Sequence, residues 1–117
     1  MLFIAAHDDD WIEGKGYKKQ ILSTGANLHQ PGALIQRIVI APKTEVALHY
    51  HKKTTEAFYI LKGEGVMTIS GNTFNLKPGD LLTCEPGEKH DAKNPYDISF
   101  EYIVFKTNVV ENDLYWD

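Results

Sequence analysis

The chain has a single cysteine, Cys84, so no disulfide can form within it. That excludes a cross-linked secreted scaffold and fits a reducing compartment. No apolar run is long enough to cross a bilayer as a helix. The opening Met1-Leu2-Phe3-Ile4-Ala5-Ala6 lacks the basic start and the length of a secretory signal core. Positive charge is not in excess: the formal net charge is −4, which argues against nucleic acid and against an anionic membrane surface as partners. Helical periodicity, low-complexity tracts, linkers and repeats of fixed period are also missing. These absences lead us to expect a cytoplasmic protein with one domain over residues 1–117.

What is present is a hydrophobic fraction of 43%, enough to build a core without a cross-link. From residue 17 onward the pattern is that of short strands separated by Gly, Pro and Asn turns. We expect strands at 17–23, 33–40, 46–51, 56–61, 66–70, 73–76, 81–84 and 98–106, with a loop over 24–32. Turns are expected at Lys62–Gly65, Gly71-Asn72, Lys77–Asp80 and Pro86-Gly87. The tail Asn108–Asp117 reads as a short helix or an ordered arm. About eight short strands with almost no helix specify an all-β sandwich or small barrel. Asp8-Asp9-Asp10 reads as a solvated turn or helix start, with a small metal site as the alternative. The lysines at 15, 18 and 19, and those at 52 and 53, read as solvated surface.

Two segments carry chemistry. The run His49-Tyr50-His51-Lys52-Lys53-Thr54-Thr55-Glu56 places two imidazoles two residues apart and a carboxylate after a turn. Residues two apart on a strand share a face, so His49 and His51 aim at one place with Cα atoms about 7 Å apart. The second segment, Glu85-Pro86-Gly87-Glu88-Lys89-His90, ends in a third imidazole. Three imidazoles and a carboxylate suit one divalent transition ion: Fe, Mn, Ni, Zn, Co or Cu. Strand alternation places Phe58 and Ile60 on the face of Glu56. It also groups Ile98, Phe100, Tyr102 and Val104 as the inward face of the last strand. Phe58, Ile60 and Phe100 are thus the expected apolar walls of a pocket, with Tyr102 a polar group in it. Glu56 and Tyr102 are the catalytic candidates. Arg37 is the nearest strand cation, on a run that is apolar on both parities. Cys84 reads as a core residue.

The two segments resemble the motifs of the cupins, in particular the small single-domain type. The first cupin motif, G-x5-H-x-H-x3,4-E-x6-G, is matched from His49 through His51 and Glu56 to Gly63. The second, G-x5-P-x-G-x2-H-x3-N, is matched by Gly79, Gly87, His90 and Asn94. Lys43 stands where the first motif opens with Gly, and Glu85 stands where the second has its first Pro. The motif core covers residues 43–94. The resemblance implies a double-stranded β-helix, or jelly-roll barrel, with the metal held by His49, His51, Glu56 and His90. It implies a small-molecule metalloenzyme: a dioxygenase, isomerase, decarboxylase or lyase. The alternative is a non-catalytic module that binds a small ligand such as a sugar. It also implies a homodimer, in which Tyr59, Leu61, Ile103 and Phe105, off the pocket parity, would find cover.

Overall fold

The computed structural model describes residues 1–117. Eleven strands and one short helix follow in chain order: β1 (Ile12–Glu13), β2 (Lys18–Thr24), α1 (Gly25–Leu28), β3 (Leu34–Ile40), β4 (Thr44–Tyr50), β5 (Thr55–Lys62), β6 (Gly65–Ile69), β7 (Asn72–Leu76), β8 (Leu81–Cys84), β9 (His90–Asn94), β10 (Phe100–Thr107) and β11 (Tyr115–Trp116). They form two antiparallel sheets, ordered β1-β2-β3-β10-β5-β8 and β11-β4-β9-β6-β7. Consecutive strands repeatedly switch sheet, which is the jelly-roll arrangement of an all-β fold.

Alternation decides what lies between the sheets. On β5, Glu56, Phe58 and Ile60 are buried while Tyr59 and Leu61 are exposed. On β10, Phe100, Tyr102 and Val104 are buried and Phe105 is exposed. The β5–β10 register sets Tyr102 opposite Ile60 and Val104 opposite Phe58. With Met67, Ile69, Val46 and Ala92 from the facing sheet, these residues form one apolar cluster. Ile98 departs from the expected inward set. It precedes β10 and is 62% exposed, because the strand begins only at Phe100.

Several turns differ in detail from expectation. The β6–β7 hairpin turns on Ser70-Gly71, one residue earlier than expected, with φ of 49° and 80°. Two consecutive positive φ values make the primed turn whose twist matches a tight hairpin. The segment 24–32 is not all loop: it holds α1, capped by reciprocal bonds between Thr24 and Asn27. The tail is an ordered arm, and its strand β11 pairs with β4. Lys43 adopts φ 57°, a left-handed conformation natural to the glycine it replaces, and its Nζ donates to the Pro95 carbonyl at 2.7 Å. Asn94, 1% exposed, locks the loop before β10. Its Nδ2 donates to the carbonyls of Ile40 and Ile98, at 3.0 and 2.8 Å. No helix is long and apolar enough to cross a membrane.

Candidate metal centre

His49 comes from β4, His51 from the residue after it, Glu56 from the start of β5 and His90 from the start of β9. In the antiparallel β4–β9 register His49 lies directly opposite His90, and their ring centroids are 4.2 Å apart. The His51 and His90 rings are 5.7 Å apart. The candidate ligand nitrogens of all three imidazoles lie within 4.8 Å of one another. Glu56 Oε1 sits 3.0 Å from His51 Nε2 and 3.2 Å from His90 Nε2. The turn carrying the second motif is bonded to the first: Gly87 N–H donates to the His51 carbonyl at 2.6 Å.

The tautomers follow from the outer nitrogens. His49 Nδ1 lies 2.7 Å from the Ala47 carbonyl, His51 Nδ1 lies 2.7 Å from the Asp113 carbonyl, and His90 Nδ1 lies 3.1 Å from the Glu88 carbonyl. A carbonyl oxygen only accepts, so each Nδ1 carries the hydrogen and each neutral ring turns a bare Nε2 inward. Bare nitrogens facing a carboxylate oxygen repel it unless a cation intervenes. Glu56 Oε1 and His90 Nε2 are both buried and without a hydrogen-bond partner. Orphaned buried polar atoms are costly, and two facing each other mark a place for a cation. The donor set fits a first-row divalent ion, whose imidazole and carboxylate bonds of about 2.0–2.2 Å put neighbouring ligand atoms about 3 Å apart. The group can hold a metal ion.

Electrostatics agree with that arrangement. Burial, reinforced by His90, lowers His49 to about 4, so it is a neutral donor across the ordinary pH range. Burial would raise the Glu56 carboxyl, but a proton shared with the opposed nitrogens of His51 and His90, in the place an ion would take, outweighs it together with the Lys106 charge and holds it well below the usual range. Burial pushes the Tyr102 phenol far up, with Glu56 adding to it, so Tyr102 is a neutral hydroxyl. Cys84 is buried, and its Sγ lies 3.2 Å from His90 Nδ1.

The four side chains open into a cavity of about 300 Å³. Phe58 and Tyr102 line it; Ile60 and Phe100 do not. Those two share the inward parity but sit farther along their strands, each same-face step adding about 7 Å. They fill the closed end of the barrel, at 1% and 0% exposure. Arg37 also stays outside: it faces the other side of its sheet and pairs with Glu101 at 3.1 Å. Lys19, Gln36 and Lys106 line the cavity instead. Lys19 was expected at the surface, but the β2–β3 register sets it opposite the buried Ile38. Lys106 was legible as the next same-face residue after Val104.

The C-terminal arm closes the cavity's side through Val109, Leu114 and Trp116. Trp116 packs on His49 with centroids 5.1 Å apart. Asp113 does two things. Its carbonyl accepts the His51 Nδ1–H, and its carboxylate accepts the N–H groups of Lys52, Lys53 and Thr54 at 2.8, 3.0 and 3.2 Å. That clamps the turn between His51 and Glu56. A second cluster, His7, Asp9 and Asp10, comes together near the N-terminus, but its acidic members are exposed.

The chain is similar to known proteins over this same region. It is 33% identical over 76 residues to an oxalate-binding protein of Thermotoga maritima, covering 65% of this chain and 63% of that one. It is 35% identical over 81 residues to a quercetin 2,3-dioxygenase of Bacillus subtilis, covering 62% of this chain and 24% of that one. The chain thus spans just under two thirds of the first relative and a quarter of the second. Among solved structures, a predicted oxalate decarboxylase from Thermotoga maritima superimposes with a TM-score of 0.73 at 29% identity, over 80% of this chain and 81% of that one. The cupin domain family model matches residues 36–106, well over half the chain, and takes in the whole ligand set. Sheet order, ligand geometry and that match lead to one assignment: this chain belongs to the cupin family.

Proposed function

We propose that this protein is a small-molecule metalloenzyme in which His49, His51, Glu56 and His90 hold one divalent first-row ion. The observation that carries this reading is the facing pair of orphaned buried atoms, Glu56 Oε1 and His90 Nε2, 3.2 Å apart. Bound there, such an ion supplies Lewis acidity, and redox chemistry if it is Fe, Mn, Co, Ni or Cu. The protein's own groups do the rest. The outer carbonyls hold the three rings in their ligating tautomer. Phe58, Met67 and Val104 keep that part of the cavity apolar. Tyr102 offers a neutral hydroxyl that donates to a bound ligand. Glu56 would be the carboxylate base nearest a ligand bound at the site.

The relatives favour ligands that chelate: one is named for binding oxalate, one as a predicted oxalate decarboxylase and one as a quercetin 2,3-dioxygenase. A dioxygenase, decarboxylase, isomerase or lyase acting on a small chelating molecule fits the site. The second reading, a non-catalytic ligand-binding module, rests on the oxalate-binding relative. We further propose a cytoplasmic, single-domain homodimer. The exposed Tyr59, Leu61, Leu81 and Phe105 on the outer face of the larger sheet support the pairing. The test is metal analysis of untagged protein, followed by oxygen-uptake and carbon dioxide-release assays over small oxo acids, diketones and phenols. Turnover that depends on the ion supports the enzyme. Tight ligand binding without turnover supports the module. Failure to bind any first-row ion above micromolar affinity overturns the enzyme reading.

A further inference from the structure

Two cations in the cavity have no adequate counter-charge. Lys106 lies opposite Glu56 in the β5–β10 register, with its Nζ 4.0 Å from Glu56 Oε2, the outer limit of an ion pair, and its side chain is only 19% exposed. Lys19 makes no ion pair, and burial, with Lys106 adding to it, lowers its pKa. The cavity's other carboxylates are committed elsewhere. Asp113 is bonded to the backbone of residues 52–54, and Asp91 accepts the Thr68 N–H at 3.1 Å. Between the two lysines, on the same sheet wall, lie Gln36 and Tyr102, at 3% and 5% exposure. Both are buried polar side chains that turn their open hydrogen-bonding groups to the cavity and bond no other part of the protein.

A cation held by the four ligands claims Glu56 and leaves Lys106 with less than it has now. Both lysines are half-buried, where an opposite charge is worth more than at the open surface. We propose that the wall formed by Lys19, Gln36, Tyr102 and Lys106 is a subsite for an acidic group of the ligand, a carboxylate or a phosphate, separate from the oxygens that reach the histidines. The ligand is then a small molecule with a chelating end and an acidic end. This rests on the metal reading of the site. The volume agrees: about 300 Å³ is the liquid volume of about ten waters, far more than a two-carbon diacid needs. A neutral aromatic ligand would leave both lysines unpaired.

The test compares ligands that differ only at the far end. 2-Oxoglutarate and 2-oxopentanoate share the chelating end and the chain length, and only the first ends in a carboxylate. Phosphonopyruvate carries the phosphorus-bearing alternative. Each is titrated calorimetrically into the zinc-loaded chain and, separately, into the chain with zinc withheld. We expect 2-oxoglutarate or phosphonopyruvate to bind the loaded chain about 10–100-fold more tightly than 2-oxopentanoate, the size of a charge-assisted hydrogen bond or two. Which of the two wins tells carboxylate from phosphate. Lys19→Met, which touches no ligand of the ion, should erase that preference while zinc affinity stays as in the wild type. Equal binding of 2-oxoglutarate, phosphonopyruvate and 2-oxopentanoate overturns the subsite and leaves the metal reading standing. So does a preference that survives Lys19→Met. Zinc that fails to bind overturns the metal reading. In that case the titrations without zinc decide the subsite: a preference for the acidic end that Lys19→Met abolishes sustains it, and no preference ends it.

Discussion

Stripping the ion should soften the protein without unfolding it. The sheets are joined by a cluster of 13 buried side chains, including Ile40, Phe100 and Ile60, that packs without help from the four ligands. Of the 59 backbone hydrogen bonds, 47 lie within helices and strands and owe nothing to the site. The ion's contribution is therefore a linkage free energy, unlike that of a zinc finger, whose metal supplies the folding energy itself. At a hundred times its dissociation constant, an ion that binds only the folded chain stabilises it by about 2.7 kcal/mol. At about 2.1 cal/mol/K of unfolding entropy per residue, a chain of 117 residues has roughly 0.25 kcal/mol/K at its midpoint. The expected shift in Tm between chelated and loaded protein is then about 11 °C. Scanning calorimetry with a chelator, and again with the ion at a hundred times Kd, measures it. His51→Ala removes one imidazole from the set and should scan alike in both conditions, still folded. A chelated wild type that is unfolded at 25 °C would show the ion to be structural and remove the main support for the enzyme reading. A His51→Ala protein that kept the full shift would show that His51 is no ligand.

Asp113→Ala should weaken metal binding by about 10–100-fold, because it frees the turn that carries His51 toward Glu56. Competition against a chromophoric chelator reads this, and an unchanged affinity refutes the clamp. Burial, with Glu56 adding to it, pushes the Cys84 thiol up to about 12, so at pH 8 only about one in ten thousand thiols is ionised. A disulfide reagent should label it orders of magnitude more slowly in the native chain than in urea, and equal rates would show that the thiol is not buried. Gly65→Ala would drive its methyl into the ring of Phe100, which is fully buried and has nowhere to go. Overpacking of this kind costs about 1–3 kcal/mol, and a urea midpoint equal to the wild type's would contradict it.

The convergence of the four candidate ligands is legible because strand alternation and motif spacing are both local. Two residues on one strand share a face whatever lies around them, so His49 and His51 could be paired without knowing the sheet order. Glu56 and His90 fall at the offsets of the cupin motifs, beside turns whose glycines, Gly63 and Gly87, adopt φ of 71° and 85°. Ile60 and Phe100 show the limit of the same rule. Alternation tells which face a side chain takes but not how deep along the strand the cavity ends. That depth depends on where the C-terminal arm crosses and where Phe100 plugs the barrel. Lys19 departs from its expected surface position for a different reason. Lys15 and Lys18 beside it suggested a solvated patch, and only the pairing of Lys19 with Ile38 turns it inward. Pairing between strands is a long-range fact, absent from any local window.

The same distinction explains why a candidate metal set is legible in the sequence while its ligand is not. The four donors lie within the motif core, 43–94, where spacing is informative. The residues that would choose a ligand lie mostly outside it: Lys19 on β2, Gln36 on β3, Tyr102 and Lys106 on β10, and Trp116 on the arm. Each reaches the cavity through strand register or through the closure of the tail. Asp113 is the extreme case. Its carbonyl fixes a tautomer on a residue 62 positions earlier, through a backbone atom that every amino acid possesses. No residue type advertises that role. Substitutions at Lys19 and Gln36 should therefore change which molecule binds while leaving metal affinity alone, whereas Lys106, 4.0 Å from Glu56 Oε2, bears on both. Substitution of Asp113 should act on the ion itself, through the orientation of His51.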